Sequence, residues 1–219
     1  MILLKVIQMK NDGLKYDILK EIFNIGVGKA ANMLSEIVDK KIVLDVPNIE
    51  VFDPEKQKLD FENHFCKTLH GTLMVSSITF EEKITGEANL IFPTNKMRTF
   101  INLCMNQNSD YLGDDMYFTD IDYDIIKEVG NIILNSIIGE MGNFLNVNLN
   151  YTLPSVKLFN CLDFKTNIKN RNDIHILMLY ITFILDDTEI EGAVIIKLTL
   201  NSLNELMKII EKMEDDLYE

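Results

Sequence analysis

The chain has 219 residues, enough for one large domain or two small ones, and it is 47% apolar and 25% charged, an ordinary globular composition. A formal net charge of −13 leaves no basic footprint for nucleic acid and disfavours docking on anionic lipid. The cysteines, Cys66, Cys104 and Cys161, form no CxxC pair, and His64 beside Cys66 has no second ligand pair, so neither a disulfide framework nor a metal site is expected. Reduced thiols, no apolar run of about 18 residues, and an N-terminus, "MILLKVIQMKNDG", without a cleavage site point to the cytoplasm and to no membrane span.

In chain order, residues 14 to 38 carry apolar residues at helical spacing: Ile18, Leu19, Ile22, Phe23, Ile25, Ala30, Leu34 and Ile37. "KKIVLDVPNIEVF" reads as a strand interrupted or held at an edge by Pro47. "FENHFCKTLHGTLMVSSITF" leads into a strand, and "EEKITG" turns it into "EANLIF", a hairpin. "PTNKMRTFINLCMN" is the next helix, with Thr94 or Asn95 near its start. Residues 108 to 124 are an acidic connector, and residues 122 to 144 a second amphipathic helix. "FLNVNLNYTLPSVKLF" is extended around Pro154. "HILMLYITFIL" and "GAVIIKLTL" form a hairpin around "DDTEIE", and "NSLNELMKIIEKME" is a closing helix capped by Asn201 or Ser202.

The order helix, Pro-containing strand, hairpin, helix thus occurs twice, over about 14–107 and 121–215. "ITF" recurs at Ile78–Phe80 and Ile181–Phe183, and Gly86 and Gly192 both open the returning strand. Residues 1–219 are accordingly read as one domain built by internal duplication.

The stretch "EIFNIGVGKAANML" holds Gly26, Gly28 and Ala31 at the spacing of a dinucleotide-binding turn. That turn needs a strand before its glycines, whereas "YDILKEIFNI" has helical periodicity. A phosphate loop fails too, because Ala30 follows Lys29 where Ser or Thr is required. The glycines therefore sit inside a helix, where each costs about 1 kcal/mol relative to Ala. Gly26, with Ala30, is assigned to helix packing, and Gly28 to the close approach of a partner.

Asp17, Glu21, Asn24 and Gly28 fall at i, i+4, i+7 and i+11, one face of the helix. Asp124, Glu128 and Asn131 repeat the first three with an offset of 107, and Pro154 repeats Pro47 with the same offset. Each half therefore carries D-x3-E-x2-N-x22-P. Four such identities arise by chance with a probability of roughly one in 10⁵. Duplication explains their origin but not why polar surface residues stay alike while their surroundings diverge.

At these residues the chain resembles the CheC/CheX/FliY family of response-regulator phosphatases. "EIFNIGVGKAANMLSEI" looks like the first active-site segment of a CheC-type member and "EVGNIILNSIIGEMGN" like the second. CheX-type members keep one such site, and FliY-type members add flanking modules, so the CheC type is the nearest. The resemblance implies an α/β (α+β) fold, an antiparallel sheet with two pseudo-symmetric repeats and the two long motif helices side by side on it. It implies a phosphatase acting on the aspartyl phosphate of a CheY-like receiver, with no cofactor of its own and with Mg²⁺ supplied in the receiver. The deamidase CheD is implied as a second candidate partner. The alternative is a catalytically slow adaptor that binds a receiver or CheD; a structural flagellar switch component is a third reading, weakened by the lack of a C-terminal module.

By the same resemblance Asn24 and Asn131 orient the attacking water, Glu21 and Glu128 contact the receiver's active-site lysine, and Asp17 and Asp124 support docking. A carboxamide suits the first role because it binds water yet stays neutral beside a dianionic phosphoryl group. Pro47 and Pro154 are expected to be structural. Position i+11 is Gly28 in the first copy and Asn135 in the second, so the larger side chain is expected to hinder docking at the second site.

Overall fold

In the computed structural model, which describes residues 13–52, 71–105, 118–161, 163, 174–185 and 188–218, both long periodic segments are helices. Helix α1 spans Gly13–Val38, followed by β1 (Ile42–Phe52), β2 (Thr72–Glu81), β3 (Gly86–Pro93) and α2 (Thr94–Cys104). The second half repeats this order with α3 (Asp120–Phe144), β4 (Asn150–Tyr151), β5 (Ser155–Asn160), β6 (Ile174–Leu185), β7 (Thr188–Thr199) and α4 (Leu200–Tyr218). The expected connector therefore gives way to helix by Asp120, and Thr188 to Glu191 of "DDTEIE" already belong to β7. His64 and Cys66 lie outside the described residues.

Among the described residues every pairing is antiparallel. These residues form a sheet of seven strands in the order β1-β6-β7-β3-β2-β4, with β5 also paired to β2. If β4 and β5 together are the counterpart of β1, β6 of β2 and β7 of β3, exchanging the halves reverses this order onto itself. The two hairpins meet at the centre through β3 and β7, so strands from both repeats share one sheet.

The motif prolines mark where the outer ladders step. The β1–β6 register shifts between Asp45 and Asn48, the interval that holds Pro47. On the other edge Phe80 pairs with Tyr151 and Ser77 with Ser155, and Pro154 lies in the break between β4 and β5. Proline offers no ladder N–H, so a step or bulge at each proline avoids leaving a carbonyl partner unsatisfied.

Alternation along the strands sorts the core. Met74, Ile78 and Phe80 of β2 and Leu177, Leu179 and Phe183 of β6 pack into the cluster that holds the buried faces of α1, α2, α3 and α4. Leu73 and Val75, with Ile91, Met178 and Ile195, form a second apolar cluster. Phe183 meets Phe92 and Phe100 edge-to-face, at 5.1 and 5.5 Å between centroids.

Helix α2 starts at Thr94, as expected, with Pro93 in the cap position and no side-chain cap bond. The start of α4 differs from expectation. The cap of α4 is supplied by Thr199, whose hydroxyl accepts from the Ser202 amide at 3.2 Å. Ser202 instead donates to the Thr85 carbonyl at 3.0 Å and accepts from the Thr85 amide at 2.8 Å, pinning the β2–β3 turn to α4. At α3 the residue pair Thr119 and Asp122 forms a reciprocal capping box.

Candidate functional site

Helix α1 buries Leu19, Ile22, Phe23, Val27, Ala30 and Leu34 and turns the face of Asp17, Glu21, Asn24 and Gly28 to solvent. Asp124 and Glu128 of α3 are exposed in the same way. Among the described residues, no hydrogen bond or ion pair engages the side chains of Asp17, Glu21, Asn24, Asp124 or Glu128. These groups thus hold their full capacity to accept and donate toward another molecule. Exposed Ile25, at 44% accessibility, lies one turn beyond Glu21 and adds an apolar patch beside the polar ridge.

The two copies part at their amides. Asn131 and Asn135 are half-buried, and the Asn135 side-chain NH2 donates to the Asn131 carbonyl oxygen at 2.7 Å. Helical side chains lean toward the N-terminus, so a residue at i+4 covers the turn that carries residue i. On α1 the covering position is Gly28, and a methyl added there would touch nothing within 4 Å. Asn24 is accordingly exposed. Gly28 also lines an open groove of about 750 Å³ with Asn32, Glu36, Lys40, Lys41 and Val43.

Helices α1 and α3 lie against each other, and Gly26 is the reason they approach so closely. A methyl at Gly26 would sit 2.9 Å from the Ile137 Cα and 3.0 Å from the Ser136 carbonyl oxygen. The packing role assigned to Gly26 therefore has a specific partner, the α3 backbone. Lys29 of α1 bridges to Glu140 of α3 across the same contact. On its other side α3 rests on β2, where a methyl at Gly130 would fall 2.1 Å from the Ser76 Oγ.

Two supports beneath the ridges escaped the sequence reading. The Ile49 amide, just past the β1 step, donates to the Tyr16 hydroxyl at 3.2 Å and ties the proline segment to the turn that carries Asp17. Tyr123 stands at Tyr16 plus 107, a repeat identity readable from the sequence. Asp122 is buried, accepts from the Thr119 amide at 2.7 Å and pairs with Arg98 at 3.0 Å. Burial alone would raise its carboxyl, but the Thr119 amide, the Arg98 guanidinium and the Thr119 hydroxyl together hold it below the usual carboxylate range. The Thr-x-x-Asp pattern at 119–122 was the available signal.

Among the described residues no three His, Cys, Asp or Glu side chains are placed to hold a metal ion, and no helix is long and apolar enough to cross a membrane. Cys104 is a free thiol among the described residues. Burial pushes the Cys104 thiol up to about 11, with Lys40 pulling weakly the other way. What the motif faces offer is neutral amides and carboxylates on a pair of packed helices.

Fold and site together define an α/β protein with two helix–strand–hairpin–helix repeats on one antiparallel sheet and an acid–amide ridge on each long helix. Residues 15–51, which span Asp17 through Pro47, match the model of the CheC-like family. The CheY-P phosphatase CheC of Bacillus subtilis (strain 168) is 26% identical over 144 residues, 65% of this chain and 65% of that relative's length. The structure of Thermotoga maritima FliY superposes with a TM-score of 0.69 at 18% identity, covering 90% of this chain and 96% of that one. The FliM middle domain from H. pylori gives 0.59 at 10% identity over 89% and 97%. At such identities the two structures speak to the fold. By these likenesses the chain is similar to the CheC-like family over its first motif segment, and its fold is that of FliY and FliM.

Proposed function

We propose that the chain hydrolyses the aspartyl phosphate of a CheY-like receiver in chemotaxis signalling. The observation that carries this reading is the pair of ridges on α1 and α3, whose Glu21, Asn24 and Glu128 face solvent without partners among the described residues. In this reading Asn24 and Asn131 orient a water in line with phosphorus. The water oxygen forms the new bond, the bond to the receiver's aspartyl oxygen breaks, and inorganic phosphate leaves. Glu21 and Glu128 pair with a cation on the receiver, and Asp17 and Asp124 guide docking, which concentrates the protein's contribution in placement and charge. The Mg²⁺ that such a reaction needs belongs to the receiver. The reversible strand order supports a pseudo-two-fold relation between the halves and hence two sites of common origin.

A second reading has an observation of its own. The fold is shared with FliM, and Asn131 is covered, so a chain that binds a receiver or CheD and hydrolyses slowly would also fit. The two readings separate in one assay. Several phosphorylated receivers are incubated with catalytic amounts of the protein, and phosphate loss is followed. The phosphatase reading expects multiple turnovers with at least one receiver; binding without turnover across the set favours the adaptor.

A further inference from the structure

We infer that Asn135 is a built-in throttle on the second site, a positioning residue that acts through Asn131; this rests on the phosphatase reading above. The two ridges differ by one residue at the position that covers the amide. Asn24 stands free beside Gly28, whereas the Asn131 carbonyl oxygen accepts the Asn135 amide at 2.7 Å. That bond takes one of the oxygen's two lone pairs, fixes the rotamer of Asn131, and lays a side chain over the turn from which a water would be presented. The Asn135 oxygen is itself buried without a hydrogen-bond partner. An unpaired buried acceptor is a cost to folding. Asn135 is thus not the residue that stability alone would place there, and its effect falls on its neighbour. The throttle differs from a steric block to docking, because Glu128 and Asp124 remain exposed for a partner.

The difference between throttle and block is legible in kinetics. Site two is isolated with Asn24→Ala, and Asn135→Ala is then added. The throttle predicts that kcat rises about five- to tenfold, the factor one ordinary hydrogen bond carries, with KM unchanged. The reciprocal change, Gly28→Asn in an Asn131→Ala background, should lower kcat at site one by a similar factor; the open space at Gly28 lets the chain accept it. An unchanged or lower kcat on Asn135→Ala overturns the throttle, and a fall in KM alone assigns Asn135 to docking instead. A readout independent of turnover is the side-chain amide spectrum. Asn135→Ala should shift the Asn131 NH2 resonances and leave those of Asn24 in place, and unshifted resonances overturn the inference. A wild-type protein without phosphatase activity would sink the functional reading, while the spectrum would still decide whether Asn135 holds Asn131.

Discussion

Two glycines two residues apart in α1 should respond differently to the same substitution. Replacing a mid-helix Gly by Ala favours the helix by about 1 kcal/mol. At Gly28 nothing opposes this gain, since the new methyl meets no atom within 4 Å. Gly28→Ala should therefore stabilise the protein by about 1 kcal/mol. At Gly26 the methyl would fall 2.9 Å from the Ile137 Cα and 3.0 Å from the Ser136 oxygen. Both are backbone atoms of a packed helix, so relief requires α1 and α3 to separate rather than a side chain to rotate. Overpacking of this kind costs about 1–3 kcal/mol, which leaves Gly26→Ala neutral to about 2 kcal/mol destabilising. The gap between the two variants is then about 1–3 kcal/mol, several degrees in Tm for a chain of this size. Urea unfolding resolves it as a difference in midpoint at constant m-value. If Gly26→Ala raises the midpoint as much as Gly28→Ala, the two long helices do not meet at Gly26, and the proposed spacing of the two ridges is wrong.

Asp122→Ala removes the capping box of α3 and an ion-pair partner of Arg98, and should destabilise the protein by about 1–2 kcal/mol, read as a lower urea midpoint. Because the folded carboxyl lies below its unfolded value, the stability it contributes is complete above about pH 4 and is lost as pH falls through the folded value. The midpoint difference between wild type and Asp122→Asn should hence be flat from pH 5 to 7 and shrink below pH 4; a difference that grows on acidification contradicts the assignment. Cys104, with its thiol pushed up to about 11, should be alkylated at pH 8 far more slowly in the folded protein than in urea. Mass spectrometry of its peptide reads this directly, and equal rates would place the thiol in solvent.

The repeat was the most legible feature of the chain because it is arithmetic: Asp17, Glu21, Asn24 and Pro47 each return 107 residues later. Periodicity located both long helices, and alternation located both hairpins, since each depends on neighbours a few residues apart. The strand order was not legible. The central pairing of β3 with β7 joins Gly86 to Leu198, and no local pattern specifies a partner at that distance. Caps failed for a related reason. Ser202 has the right chemistry for a cap, but the Thr85 turn competes for its hydroxyl, and only packing decides that contest. Within the site, exposure of the α1 face followed from helical spacing, whereas the covering of Asn131 depends on the rotamer of Asn135. An Asn pair at i and i+4 permits that contact without requiring it.

The most direct measurement pairs turnover with affinity in the Asn24→Ala, Asn131→Ala double variant. Phosphorylated receiver is the substrate for one arm, and receiver carrying a non-hydrolysable phosphoryl mimic is the ligand for the other. The account predicts that catalysed phosphate loss disappears while affinity stays within a few-fold of wild type. A double variant that still turns over at the wild-type rate would mean that the two amides do not position the water, and the reading of both ridges would fall with it.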